Sequence, residues 1–140
     1  MTTAEPGPRH LSAPLEPIEN LSVELRVPGS VHYLQTIRTV VGRAGHLLGF
    51  SFDGIEDLAL AVDEAAVMLL ALAPKALLLN LEGMDSGGLE IRLVTAEPSP
   101  EWPPADLESD TRWQIVEALS DRAWTIAGTA TGLQMTRAPH

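Results

Sequence analysis

The stretch that most constrains the fold is Asp53 to Ala73, reading DGIEDLALAVDEAAVMLLALA. Ile55, Leu58, Ala59, Val62, Ala66, Leu69 and Ala73 recur at helical spacing as one apolar face. Asp53 followed three residues later by Glu56 resembles a capping-box start, and Pro74 is expected to stop the helix. A second face carries Asp57, Ala61, Glu64 and Met68, with Glu64 and Met68 one turn apart and pointing the same way. Any chemistry on this helix belongs on that face.

Patterning on either side sets the architecture. Leu21, Val23, Leu25 and Val27 alternate with Ser22, Glu24 and Arg26 as a half-buried strand ended by Pro28 and Gly29. Ser30 is a good N-cap for a first helix, whose apolar face would be Val31, Leu34, Ile37, Val41, Ala44 and Leu48 and whose stop is near Gly49. After the central helix, Ala76–Glu82 and Leu89–Thr95 alternate as a hairpin around the glycine-rich turn 83–88, which needs no phosphate-binding role. The proline-rich stretch Ala96 to Asp110 reads as a loop. A short helix follows at about Thr111 to Ser120, with Trp113, Val116 and Leu119 facing the core, then strands Ala123–Ala127 and Leu133–Arg137. The order βααββαββ predicts an α+β two-layer sandwich, an amphipathic sheet covered on one face by helices. Trp113 and Trp124 are expected in or beside the core, and Trp102, among prolines, exposed.

Residues 1–20 contain Pro6, Pro8, Pro14 and Pro17 with few large apolar side chains, and are expected to form a flexible tail before one domain over 21–140. The net charge of −10 argues against a phosphate-backbone binder, which needs clustered basic surface, so no direct nucleic-acid ligand is expected. Such a surface suits a basic protein partner, although it also serves solubility alone. With no cysteine there is neither a disulfide framework nor a thiolate metal site. The histidines are too scattered for a metal site. No apolar run reaches the roughly 18 residues of a spanning helix, and the expectation is a cytoplasmic protein without membrane contact.

The phrase Leu58 to Leu70, LALAVDEAAVMLL, resembles the motif helix of the anti-sigma-factor serine kinases, the RsbW-like proteins. These have the Bergerat-type ATPase fold shared with histidine kinases. The family helix runs roughly A-V-D/S-E-A-x-x-N-A, and the resemblance implies that its glutamate is the catalytic base and its asparagine holds magnesium. Glu64 matches the glutamate, while Met68 stands where the asparagine would be. Magnesium takes oxygen ligands, so a thioether is no replacement. Apart from the resemblance, Glu64 reads as a solvated helix residue and Met68 as core filler. The stretch Val27 to Arg38 is similar to the family's opening, strand then P-x-S then helix. Arg38 matches an arginine that the resemblance places at the face meeting the sigma factor or its antagonist; read alone, it is a solubilising surface charge.

Two further nucleotide motifs depart from the family pattern. Ala96-Glu97-Pro98 stands where D-x-G-x-G would follow the hairpin, and Ser109-Asp110-Thr111 where the glycine-rich lid would lie. Proline removes amide donors, non-glycine residues resist positive φ, and Glu97, Glu101, Glu108 and Asp110 would repel a triphosphate. Glu64, Met68, Ala96, Glu97 and Asp110 therefore mark a degenerate nucleotide site, as in actinobacterial anti-sigma factors of this family. The resemblance implies a homodimer that sequesters an alternative sigma factor and releases it to a STAS-type anti-anti-sigma protein, and the departures in the nucleotide motifs imply that it does so with no cofactor. The alternative is an ATP-dependent serine kinase acting on that antagonist. Glu64 would be its base, and ATP with magnesium held through Asp57 or Asp63 its requirement. A third possibility is a domain of this fold turned to another partner.

Overall fold

The computed structural model describes residues 20–140. The expected tail lies outside the described residues except for Asn20. Strand β1 (Ser22–Pro28) leads through a 3-10 turn, Val31–Tyr33, into helix α1 (Leu34–Leu47), then α2 (Phe52–Leu70), β2 (Ala76–Gly83) and β3 (Leu89–Thr95). A second 3-10 turn, Leu107–Ser109, precedes α3 (Thr111–Ala118), β4 (Arg122–Ile126) and β5 (Gly132–Arg137). This is the βααββαββ order expected from the patterning.

The strands form one five-stranded antiparallel sheet in the order β1-β2-β3-β5-β4. Register follows from alternation, because a one-residue slip would turn every apolar side chain to the wrong face. Leu25 pairs with Leu79, Leu79 with Leu93, and Leu93 with Leu133; beside them Val23, Leu81, Ile91, Met135 and Ala123 form a second row. These rows are the sheet's contribution to the core, and Leu79, Leu81, Ile91, Leu93 and Leu133 are fully buried. On the opposite face Glu24, Asn80, Arg92 and Gln134 line up across the strands. α1 supplies Ile37, Val41 and Ala44, and α2 supplies Leu58, Val62, Ala66 and Leu69, to one continuous cluster with the sheet.

Several local expectations need correction. The N-cap of α2 is Ser51, whose Oγ accepts from the Gly54 amide at 3.0 Å; Asp53 lies inside the first turn. The helix ends at Leu70 rather than at Pro74. The amides of Leu72 and Ala73 tighten into i→i−3 bonds, and Ala73 turns the chain out with φ 54°. Ser30 does cap, but a 3-10 turn, and Val31 is 62 % exposed because that turn is rotated off the face of α1. Gly49, with φ 85°, closes the link after α1, a conformation glycine adopts without steric cost.

The larger correction concerns the proline-rich loop 96–110. Trp102 is buried, not exposed: its Nε1–H donates to the Gly132 carbonyl at 3.0 Å. Trp113 is buried as expected, whereas Trp124 is only half-buried, with the Arg122 guanidinium 5.2 Å from its ring centre. Thr131 ties the loop down further, because its Oγ1 accepts from the Ser99 amide at 2.6 Å while its carbonyl accepts from the Thr95 amide at 2.8 Å. Proline content therefore removes regular structure here without removing packing.

Candidate functional site

The face of α2 opposite α1 lies beneath α3. Ala61 and Met68 on that face are buried and belong to the core, so the sulfur of Met68 is packing rather than a solvent-facing group. Glu64 sits between them with a side chain only 17 % exposed, and its carboxylate is ion-paired to the Arg112 guanidinium from the first turn of α3. A cavity of about 420 Å³ opens beside this pair. Its walls include Val67 and Met68 from α2, Leu72 from the turn after it, Trp102 from the loop, and Asp110 and Arg112 at the start of α3.

Both features that could hold an anion here are already satisfied by carboxylates of this chain. The α3 N-terminus is closed by Asp110, whose Oδ1 accepts from the Arg112 amide at 2.8 Å and the Trp113 amide at 3.3 Å. The Arg112 side chain is held by Glu64. A phosphate would have to displace a carboxylate at each position, and position 68 offers no oxygen for a hard cation.

The other expected site residues are dispersed. Ala96 leaves β3 with its amide donating to the Ala76 carbonyl at 3.0 Å, and the Glu97 carbonyl accepts from Thr95 Oγ1 at 2.6 Å. Glu97 lines a separate cavity of about 270 Å³ with Lys75, Pro98 and Pro100. The structure thus brings Met68 and Asp110 to one cavity with Glu64 beside it through Arg112, and leaves Ala96 and Glu97 outside. Arg38 lies on the far side of α2, with Nε 3.6 Å from Asp63 Oδ1, an ion pair too long to be a hydrogen bond. The two carboxylates open to the kinase alternative as magnesium ligands are both engaged: Asp63 with Arg38, and Asp57 with Arg137 at 2.9 Å. Arg137 also donates to the Leu119 and His140 carbonyls, each at 3.0 Å, so it joins β5 to α2 and α3. Sequence reasoning assigned no role to Arg112 or Trp102. A pair separated by 48 positions leaves no periodic signal, and a tryptophan among prolines looks like loop decoration.

Comparison with known proteins agrees with this fold. No family model matches the chain. Over 123 residues it is 29 % identical to the anti-sigma-F factor RsbW of Mycobacterium tuberculosis, in both strain CDC 1551 and strain H37Rv. That alignment covers 82 % of this chain and 72 % of the relative. The crystal structure of the RsbU and RsbW domains of Rv1364c from Mycobacterium tuberculosis superposes with a TM-score of 0.65 over 84 % of this chain. The chain is RsbW-like in sequence and in fold. It spans 32 % of that crystallised chain at 13 % identity, a likeness that speaks for the RsbW-type fold alone. Within the RsbW-like frame, Glu64 stays on the helix where the family resemblance sets its base, now held by an arginine of the chain itself. Among the described residues no group of three or more His, Asp or Glu side chains is arranged to hold a metal ion, and no helix is long and apolar enough to cross a membrane.

Proposed function

We propose that this protein is an anti-sigma factor that sequesters an alternative sigma factor in the cytoplasm and releases it when a STAS-type anti-anti-sigma protein competes. The observation that carries this reading is the 29 % identity to anti-sigma-F factor RsbW across 82 % of the chain. Capture needs a complementary surface and no turnover, so we further propose that the nucleotide site is degenerate and the protein needs no ATP. The Glu64–Arg112 ion pair, the capping role of Asp110 and the burial of Met68 support that part. The kinase alternative has Glu64 in its favour, but it would require Glu64 to leave its arginine and would still lack a magnesium ligand at position 68. A homodimer is the assembly we propose, by resemblance to the family.

Arg38 is the proposed partner contact on α1. Its side chain is 41 % exposed and only loosely held by Asp63, leaving it free to meet a carboxylate on the partner. Pull-down with purified alternative sigma factors of the source organism should recover at least one. Arg38→Glu should then weaken capture by about tenfold or more, because attraction becomes repulsion at the contact, with no change in melting temperature. Capture of no sigma factor contradicts the function; unchanged capture by Arg38→Glu contradicts the surface.

A further inference from the structure

The outward face of α2 is the most unusual surface on the molecule. Phe52, Glu56, Leu60, Asp63 and Val67 follow one another along it at spacings of four or three residues and form a single stripe between α1 and α3. Phe52 is 74 % exposed and Leu60 46 %, large apolar side chains standing in water rather than over a core. The apolar members are eight and seven residues apart, so Phe52 to Val67 extends about 22 Å along the axis, and that near-heptad repeat matches the seam of a second helix laid alongside. The polar members between them are both acidic, and α2 carries no lysine or arginine anywhere along its length.

We infer that this stripe is the docking surface for a basic amphipathic helix of the sigma factor, an inference that rests on the anti-sigma reading above. Charge complementarity selects the occupant. Apolar side chains at heptad spacing would pack against Phe52, Leu60 and Val67, while lysines or arginines between them meet Glu56 and Asp63. Proteins that bind DNA carry such basic helices to face phosphates, so the acidic stripe competes with DNA for the same side chains. On the α3 side the stripe is flanked by Arg112, which Glu64 holds; on the α1 side Arg38, beside Asp63, is its loosely held positive point. It calls for a single carboxylate among the partner's basic residues and thereby sets the register of docking.

The test uses the full chain with the sigma factor recovered in pull-down, and measures affinity at low and high salt. Phe52→Ser with Leu60→Ser should weaken binding at least tenfold, and Glu56→Lys about tenfold with a shallower salt dependence. All three positions are exposed, so melting temperatures should stay at the wild-type value, and Glu56→Lys reads the surface independently of the apolar pair. Wild-type affinity in both variants, or tighter binding by Glu56→Lys, overturns the docking surface while leaving the anti-sigma reading in place. Absence of any sigma factor bound by the wild-type chain overturns both.

Discussion

Gly132→Ala is expected to destabilise the protein by about 3 kcal/mol, the upper part of the range for forcing extra volume into a packed interior. Gly132 opens β5 beside Val94 of β3, and a Cβ there would collide with the Leu93 carbonyl oxygen and lie 2.7 Å from Val94 Cα. Both neighbours are backbone, so no rotamer change relieves the clash. β3 and β5 must separate at the point where they join the two halves of the sheet. The same residue's carbonyl accepts the Trp102 hydrogen bond, so the shift would also loosen the loop. Urea unfolding followed by circular dichroism measures the cost. A variant within about 0.5 kcal/mol of wild type, the range of neutral surface changes, would show that β3 and β5 do not approach as described.

Trp102→Ala should cost about as much or more, in the 3–5 kcal/mol typical of removing a buried aromatic side chain. The indole is 6 % exposed and covers the core between the loop and β5. Trp102→Phe separates the two contributions: it keeps most of the apolar contact and loses the bond to Gly132, for about 1 kcal/mol plus the unpaired carbonyl. Iodide quenching of single-tryptophan variants gives an independent check. Trp102 and Trp113 should be shielded and Trp124 more accessible; free quenching at Trp102 would contradict the docking of the loop.

Where periodic burial governs structure, the sequence was readable. Alternation in Leu77, Leu79 and Leu81 and in Leu89, Ile91 and Leu93 places both strands within a residue of their ends, because a half-buried sheet permits one register. The helix phrase around Glu64 likewise led to the fold and to the RsbW-like relatives. What could not be read depends on long-range pairing. Trp102 meets a carbonyl 30 residues away, and Glu64 meets Arg112 across 48. Neither contact has a local pattern. Ser51 was missed as a cap because Asp53 and Glu56 satisfy the same spacing rule two residues later, and only the backbone decides between them. Of the five residues assigned to a degenerate nucleotide site, Glu64, Met68 and Asp110 gather around one cavity, whereas Ala96 and Glu97 follow the loop elsewhere, since the prolines direct that segment along Thr131.

If, as proposed, this RsbW-like chain captures a sigma factor while carboxylates and an arginine of its own occupy the positions a nucleotide would need, capture is indifferent to ATP. Titrating the captured sigma factor with and without magnesium ATP, in the presence of the anti-anti-sigma protein and with its serine phosphorylation followed in the same samples, tests that claim most directly. The expected result is one affinity in both conditions, release by the antagonist alone, and no phosphoserine. Serine phosphorylation of the antagonist that requires ATP and Glu64 would contradict it.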